Sequence, residues 1–308
     1  MYNVTVIITT HNRSNLLVNS VNSVLNQTYK EFKLLIIDDA STDNTEKIIK
    51  TFIDNRIQYI KISMENTRGG NHARNLGIKN AEGDFIAFLD DDDEWMPEKL
   101  EKQLNVFYKD KKIGIVGTGV IYISNDGKEI AQGIPVQRGD LSKDILIANL
   151  SNICFSSIMV KKEIIVKAGM FDENMPACQD YDMYIRVCQI CEFDYTDELL
   201  TKYYDRNDID RIGNNVDKYE SAFSLINNKY KDLIKLLDKK SDEKRKEYTY
   251  NALVGFIYRN KDYKKLKKYY INYLSHKFDL KIFLKLCFYF IGIYHFNKMH
   301  ILSTNKTK

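Results

Sequence analysis

Four short apolar runs, at residues 4–10, 32–37, 57–62 and 84–89, alternate with stretches of helical spacing over the first part of the chain. The first helical stretch, residues 15–25, carries Leu17, Val18, Val21, Val24 and Leu25 on one stripe. Ser41, Thr42, Asp43 and Asn44 offer capping side chains for a second helix reaching Ile53, and residues 74–80 continue a third. Parallel strands need long crossovers, and right-handed crossovers cover both faces with helices, so this alternation predicts a mostly parallel, doubly wound α/β sheet. Further on, residues 113–124 and 128–132 read as a hairpin turning at Asn125-Asp126-Gly127. Gly114, Gly117 and Gly119 have the wrong spacing for a dinucleotide loop and no helix follows them, so they read as close strand packing. Residues 156–160 read as a strand, 162–168 as a helix stopped by Gly169, and 179–191 as a longer helix.

The fourth run ends in Asp90-Asp91-Asp92-Asp93 and is followed by Trp95, Pro97 and a helical pattern over residues 98–108. Carboxylates this close repel one another, and a hard divalent cation with oxygen ligands, itself able to hold a diphosphate, relieves that repulsion. The carboxyl end of a strand in an open α/β sheet is also where ligands bind. An EF-hand loop fits poorly, because its alternating ligands, central glycine and closing glutamate are missing.

The net charge of +4 conceals an asymmetry. Residues 213–308 hold 21 Lys+Arg against 9 Asp+Glu, leaving 25 against 33 for residues 1–212. An acidic first part suits cation-mediated binding of an anionic small molecule, and a basic second part suits an anionic surface such as a membrane leaflet. The chain therefore divides into an acidic α/β domain, 1–212, and a basic helical region, 213–308. Five cysteines and the lack of a basic leader before Val4 point to a reducing cytoplasm. Cys188 and Cys191 read as buried small hydrophobes, since no second Cys/His pair stands near them. An uncharged aromatic run, residues 286–297, lies between Lys285 and Lys298. It falls short of the roughly 18–20 residues a spanning helix needs, so the segment 277–301 either packs on the domain or lies in a membrane interface.

Four motifs in order carry a resemblance: Val4 to Arg13 (VTVIITTHNR), Ile37 to Thr45 (IDDASTDNT), Ala73 to Gly77 (ARNLG) and Phe88 to Asp92 (FLDDD). They resemble family 2 glycosyltransferases over about the first 210 residues. The resemblance implies a GT-A fold, a doubly wound mixed sheet with a C-terminal helical extension. It also implies a nucleotide-sugar donor, UDP-linked by preference, a Mn²⁺ or Mg²⁺ ion, and transfer with inversion to a hydroxyl of a glycan or lipid-linked glycan in surface polysaccharide synthesis. Asp90 and Asp92 match the acidic positions of the motif, with Asp92 first among the metal ligands and Asp91 facing the donor; Asp93 only solvates the loop. Asp39 matches the aspartate that binds the base, with Thr10, His11, Asn12 and Arg13 beside it, His11 standing where tyrosine is common. Asp38 reads as structural, and Asp43 as either a cap or a ligand contact.

Arg68, ahead of Arg74, is expected at the diphosphate, though a plain salt bridge fits either arginine. Gln179-Asp180-Tyr181-Asp182 resembles the family's Glu-Asp segment, so Asp180 takes the general-base role and Asp182 stands in reserve; glutamine replaces the usual glutamate. A sugar nucleotidyltransferase is the second enzyme reading, opposed by the lack of a glycine-rich phosphate loop near Thr9 to Arg13. The non-enzymatic reading is a nucleotide-sugar-binding or membrane scaffold protein. No nucleic-acid-binding motif is present.

Overall fold

The computed structural model describes residues 3–206, 215–260 and 262–276. Nine strands form one sheet: β1 (Val4–Thr10), β2 (Phe32–Asp38), β3 (Ile57–Lys61), β4 (Phe85–Asp90), β5 (Glu94–Trp95), β6 (Ile113–Ser124), β7 (Glu129–Gly133), β8 (Met159–Lys161) and β9 (Glu192–Asp205). The helices are α1 (Ser14–Leu25), α2 (Thr45–Ile49), α3 (Gly70–Asn80), α4 (Lys99–Phe107), α5 (Asp144–Ile147), α6 (Lys162–Lys167), α7 (Gln179–Cys188), α8 (Val216–Lys229), α9 (Lys231–Ile234), α10 (Lys239–Arg259) and α11 (Tyr263–His276). The strand order is β3-β2-β1-β4-β8-β6-β9-β5, with β7 on β6. β3, β2, β1 and β4 are parallel, β8 runs against both β4 and β6, and β6 pairs in parallel with β9. The sheet is mixed, as the resemblance implies.

Alternation along the central strands sorts the core into two layers. Val4, Val6, Ile8, Ala87 and Leu89 face α1 and α4 through Leu17, Val21, Val24, Leu100 and Leu104. Ile7, Leu35, Ile37, Ile86 and Phe88 face the other way, toward Ile78 of α3 and Tyr184 of α7. That second layer continues into Ala222, Phe223 and Ile226 of α8 and Leu253 of α10, so these basic helices share the core of the sheet. Gly77 explains itself here: a Cβ would sit 2.7 Å from the Ile7 Cγ2 atom, so α3 could not lie this close to β1 with a larger residue.

Several boundaries differ from expectation for identifiable reasons. The second helix opens at Thr45, where Asp43 Oδ1 accepts from Thr45 N, but stops at Ile49 short of Ile53, as Thr51 N and Phe52 N bond only three residues back, to Ile48 O and Ile49 O. The third helix begins at Gly70, four residues before Arg74, after Gly69 at φ 86°. Residues 155–157 form a 3-10 turn where a strand is expected, and β8 starts at Met159. α7 ends at Cys188, and the chain turns into β9, a 14-residue strand that the sequence does not announce. Its periodicity breaks where the register jumps from Thr118↔Thr196 to Gly119↔Leu199, leaving Asp197 and Glu198 as a bulge. The hairpin β6–β7 forms as expected, with Gly127 at φ 78°. The segment 277–301 lies outside the described residues. Among the described residues no helix is long and apolar enough to cross a membrane.

Lys99 is wholly buried at the start of α4. Its Nζ donates to the Gln103 Oε1 atom at 2.8 Å and stands 4.0 Å from the centre of the Trp95 ring. Burial pushes the amine well below the ordinary lysine range, only weakly opposed by Cys154. An unfolded chain takes up this proton as the pH falls below about 10.4, whereas the folded chain does not, so stability declines from there toward neutrality. Lys99→Met is therefore expected to melt higher than the parent at pH 7, with the gain shrinking toward pH 10. Melting curves of both proteins at the two pH values test this; a gain that persists undiminished at pH 10 contradicts a neutral buried amine.

Candidate active site

The parallel register places Thr10 beside Asp38 and Thr9 beside Asp90, so the loops after β1, β2 and β4 meet at one edge of the sheet. Asn12, at φ 53°, joins two of them: its Oδ1 accepts from Thr42 N at 2.8 Å and Asp43 N at 3.3 Å, while its own N–H donates to Ser41 Oγ at 2.9 Å. Asp38 is buried and accepts from Ser41 N at 2.7 Å and from the Tyr59 hydroxyl, which makes it a structural carboxylate. Asp43 accepts from Ser14 N at 3.1 Å and Thr45 N at 3.0 Å, tying α1 to α2. Burial raises this carboxyl, but the hydrogen bonds from Thr45 and Ser14 outweigh it and hold the group at about 2.

Asp39 receives Thr67 Oγ1 at 2.6 Å, its N–H donates to Thr10 O at 2.8 Å, and its carbonyl lies 2.5 Å from His11 Nδ1. A cavity of about 320 Å³ opens next to it, lined by Ala40, Ser41, Lys61, Ile62, Ser63 and Met64. His11 and Asn12 are exposed at its side of the sheet, whereas Thr10 is buried.

The acidic loop is held from both ends. Arg13 Nη1 lies 3.2 Å from Asp91 Oδ1 and 3.0 Å from Asp92 Oδ2, and Arg74 Nη2 lies 3.2 Å from Asp90 Oδ1. Asp91 is buried, and that burial lifts its carboxyl to about 6 despite Arg13 and Thr10. Asp93 does not merely solvate the loop. Nearly inaccessible, it accepts from Ser156 Oγ at 2.5 Å and Tyr204 N at 3.0 Å, while its carbonyl accepts from Ser20 Oγ. Ser156 Oγ in turn accepts from Asp90 N at 3.1 Å, which explains why this serine leaves the expected strand. Ser156 and Tyr204 escape sequence reasoning because neither belongs to a motif and both act through long-range contacts.

Among the described residues no three His, Cys, Asp or Glu side chains converge on one point. A divalent cation at Asp90 and Asp92 would therefore take one or two carboxylates from the protein and complete its shell with substrate phosphate oxygens and water, the habit of Mg²⁺ at nucleotide sites. The hard oxygen donors fit such an ion, and Arg13 and Arg74 already neutralise part of the negative charge.

Asp180, in the first turn of α7, is half-buried; burial raises its carboxyl, Arg74 opposes this and Asp90 adds to it. These couplings join the strand end, α3 and α7 in one cleft. The Tyr184 hydroxyl, one turn along, is buried without a hydrogen-bond partner among the described residues, and so is Arg74 Nε. Asp182 is elsewhere: it is wholly buried and bound to Arg186, Lys229 and Tyr230. Arg68 lies exposed on the loop before α3 and makes no ion pair among the described residues, so Arg74 rather than Arg68 stands against the carboxylates. Asn75 ties α3 to the loop before α7, donating to Phe171 O at 2.9 Å and accepting from Phe171 N at 2.9 Å. The ARNLG motif thus divides its labour: Arg74 to the cleft, Asn75 to the loop, Gly77 to β1.

The family model for glycosyl transferase family 2 matches residues 5–168. An uncharacterized glycosyltransferase of Rickettsia conorii is 28% identical over 207 residues, 65% of this chain and 33% of that relative. The Escherichia coli UDP-Glc:alpha-D-GlcNAc-diphosphoundecaprenol beta-1,3-glucosyltransferase WfgD is 39% identical over 132 residues, 42% of this chain and 51% of that protein. The chain thus spans about a third to a half of the length of these relatives. Among solved structures, S. aureus TarS 1-349 with UDP-GlcNAc superimposes with a TM-score of 0.61 at 19% identity, over 91% of this chain and 77% of that one. The mannosyltransferase PcManGT of Pyrobaculum calidifontis, with GDP-Man and Mn²⁺, gives 0.61 at 15% identity, over 96% and 82%. These structures share the GT-A fold with this chain.

Proposed function

This chain belongs to glycosyl transferase family 2 and is a glycosyltransferase, and from that premise we propose that it moves a sugar from a nucleoside-diphosphate donor, UDP-linked by preference, to a hydroxyl of a lipid-linked glycan, with inversion. The observation that supports this reading is the ion pairing of Asp90 and Asp92 with Arg74 and Arg13 at the end of β4, with Asp180 of α7 near enough for the charges of Arg74 and Asp90 to act on it. The base would enter the cavity beside Asp39, and the diphosphate would lie along Arg13, Arg74 and the acidic loop. Asp180 then takes the acceptor proton as the acceptor oxygen bonds to the anomeric carbon and the bond from that carbon to the diphosphate oxygen breaks. Its raised carboxyl suits a general base, whose affinity for a proton should approach the working pH. Asp92, with Asp90, would hold a Mn²⁺ or Mg²⁺ ion, which when bound would supply charge neutralisation for the departing diphosphate. The lipid-linked acceptor is favoured by the name of the E. coli relative and by the basic character of residues 213–308.

Thermal stabilisation by UDP, GDP, CDP and dTDP, each with Mn²⁺ and again with excess chelator, tests the donor class. A shift with one nucleotide that vanishes on chelation supports the reading, and no shift with any of them removes it. We read residues 213–308 as a region that also meets the inner face of the cytoplasmic membrane. Deleting residues 277–308 is then expected to abolish co-sedimentation with vesicles containing phosphatidylserine, and unchanged co-sedimentation refutes that part of the proposal.

A further inference from the structure

Lys229, the last residue of α8, joins three elements at one point. Its Nζ lies 2.8 Å from Asp182 Oδ1 on α7 and 2.7 Å from Asp172 Oδ2 in the loop between α6 and α7. Tyr230 adds its hydroxyl to the same Asp182 oxygen at 2.7 Å, while Arg186 occupies Asp182 Oδ2 at 2.7 Å and reaches back to Ala168 O. Asp182 is wholly buried, so these partners are obligatory: a buried carboxylate without them is expensive. On its other side the same loop is gripped by α3, where Asn71 donates to Asp172 O at 2.9 Å and Asn75 binds Phe171. Arg74, which meets Asp90, lies on α3 between those two residues, and Asp180 lies two residues before Asp182 on α7. The spacing between the acidic strand end and the base-bearing helix therefore runs through a loop whose outer side α8 clamps.

Resting on the assignment of Asp180 as base, we propose that Lys229, with Tyr230, is a positioning residue for the transfer step. Acting through Asp182 and Asp172, it holds α7 in the orientation that directs Asp180 into the cleft. The C-terminal helices then belong to the catalytic unit and are not only a surface for partners. Lys229 touches neither the acidic loop nor the cavity beside Asp39, so nucleotide binding does not depend on it.

The test uses the full chain and, as probe, release of nucleoside diphosphate with water as acceptor, from whichever of UDP-glucose, UDP-N-acetylglucosamine or GDP-mannose the parent turns over. Lys229→Met is expected to lower kcat on the order of 10-fold, as small misplacements of a reacting group do. The donor KM and thermal stabilisation by the matching nucleotide with Mn²⁺ stay at parental values, and amide exchange quickens across Gln179–Cys188. Lys229→Arg, which keeps the ion pairs, is expected to recover most of the turnover, and Tyr230→Phe to give a smaller loss of the same kind. An unchanged kcat in Lys229→Met overturns the proposal, as does a loss shared equally by kcat and nucleotide binding. Asp180→Asn is measured alongside: if it too retains full turnover, the base assignment has failed, whereas an inactive Asp180→Asn beside an unaffected Lys229→Met sinks the positioning role alone.

Discussion

Replacing Asp180 by asparagine is expected to reduce turnover by about 10²- to 10⁴-fold, the usual worth of a positioned general base, with nucleotide binding unchanged. The size of the effect follows from the chemistry. Asparagine keeps the shape of the carboxylate but cannot take the acceptor proton, so the attacking oxygen stays a neutral hydroxyl. Binding survives because Asp39, Arg13, Arg74 and the acidic loop, which hold the nucleotide in this reading, lie outside α7. Single-turnover measurements with saturating donor separate the two quantities. Turnover within threefold of the parent would move the base elsewhere, and Asp182 is a poor successor, since Arg186, Lys229 and Tyr230 already occupy its oxygens.

Asp92→Asn should abolish the cation-dependent part of nucleoside diphosphate binding. The change removes one negative charge from a cluster whose attraction for a divalent ion depends on having several, and it takes away the charge that pairs Arg13 with Asp92 while its pair with Asp91 persists. Two opposed effects then act on the diphosphate: loss of the bridging cation weakens binding, and partial release of Arg13 strengthens it. The loss of the cation is expected to dominate, because a divalent ion held by Asp92 would bring two charges to the diphosphate whereas Arg13 gains only a share of one. Calorimetric titration of UDP with and without Mn²⁺ decides the matter. An affinity for UDP that still rises with Mn²⁺ as in the parent would transfer the ligand role to Asp90.

How much of this was legible from the residues depends on range. The strands β1, β2 and β4, and the carboxylates that follow β2 and β4, are legible from local apolar runs that stop abruptly at polar residues, because buried parallel strands are apolar on both faces. The placement of Thr10, Asn12, Asp39 and Asp90 on one edge follows from parallel pairing alone. What stayed hidden depends on residues distant in sequence. Asp93 looks like one more solvated acid until Ser156 and Tyr204, 63 and 111 positions away, are brought to it. Asp182 looks as available as Asp180 until α8 delivers Lys229 and Tyr230. The strand β9 was unreadable because its bulge at Asp197 and Glu198 interrupts the period of two, a distortion that Gly119 tolerates by letting the Glu198 carbonyl approach where a Cβ would stand 2.9 Å from it.

The burial of Asp93 bears on how a ligand is received. A loop of four acids left to itself would spread out in water, and any ion or diphosphate that gathered it would lose part of its binding free energy to ordering the chain. Here Ser156 and Tyr204 fasten the fourth acid during folding, and with it the spacing of the other three. The ordering entropy is thereby charged to the stability of the whole domain, and a ligand meets a loop whose fourth acid is already fixed.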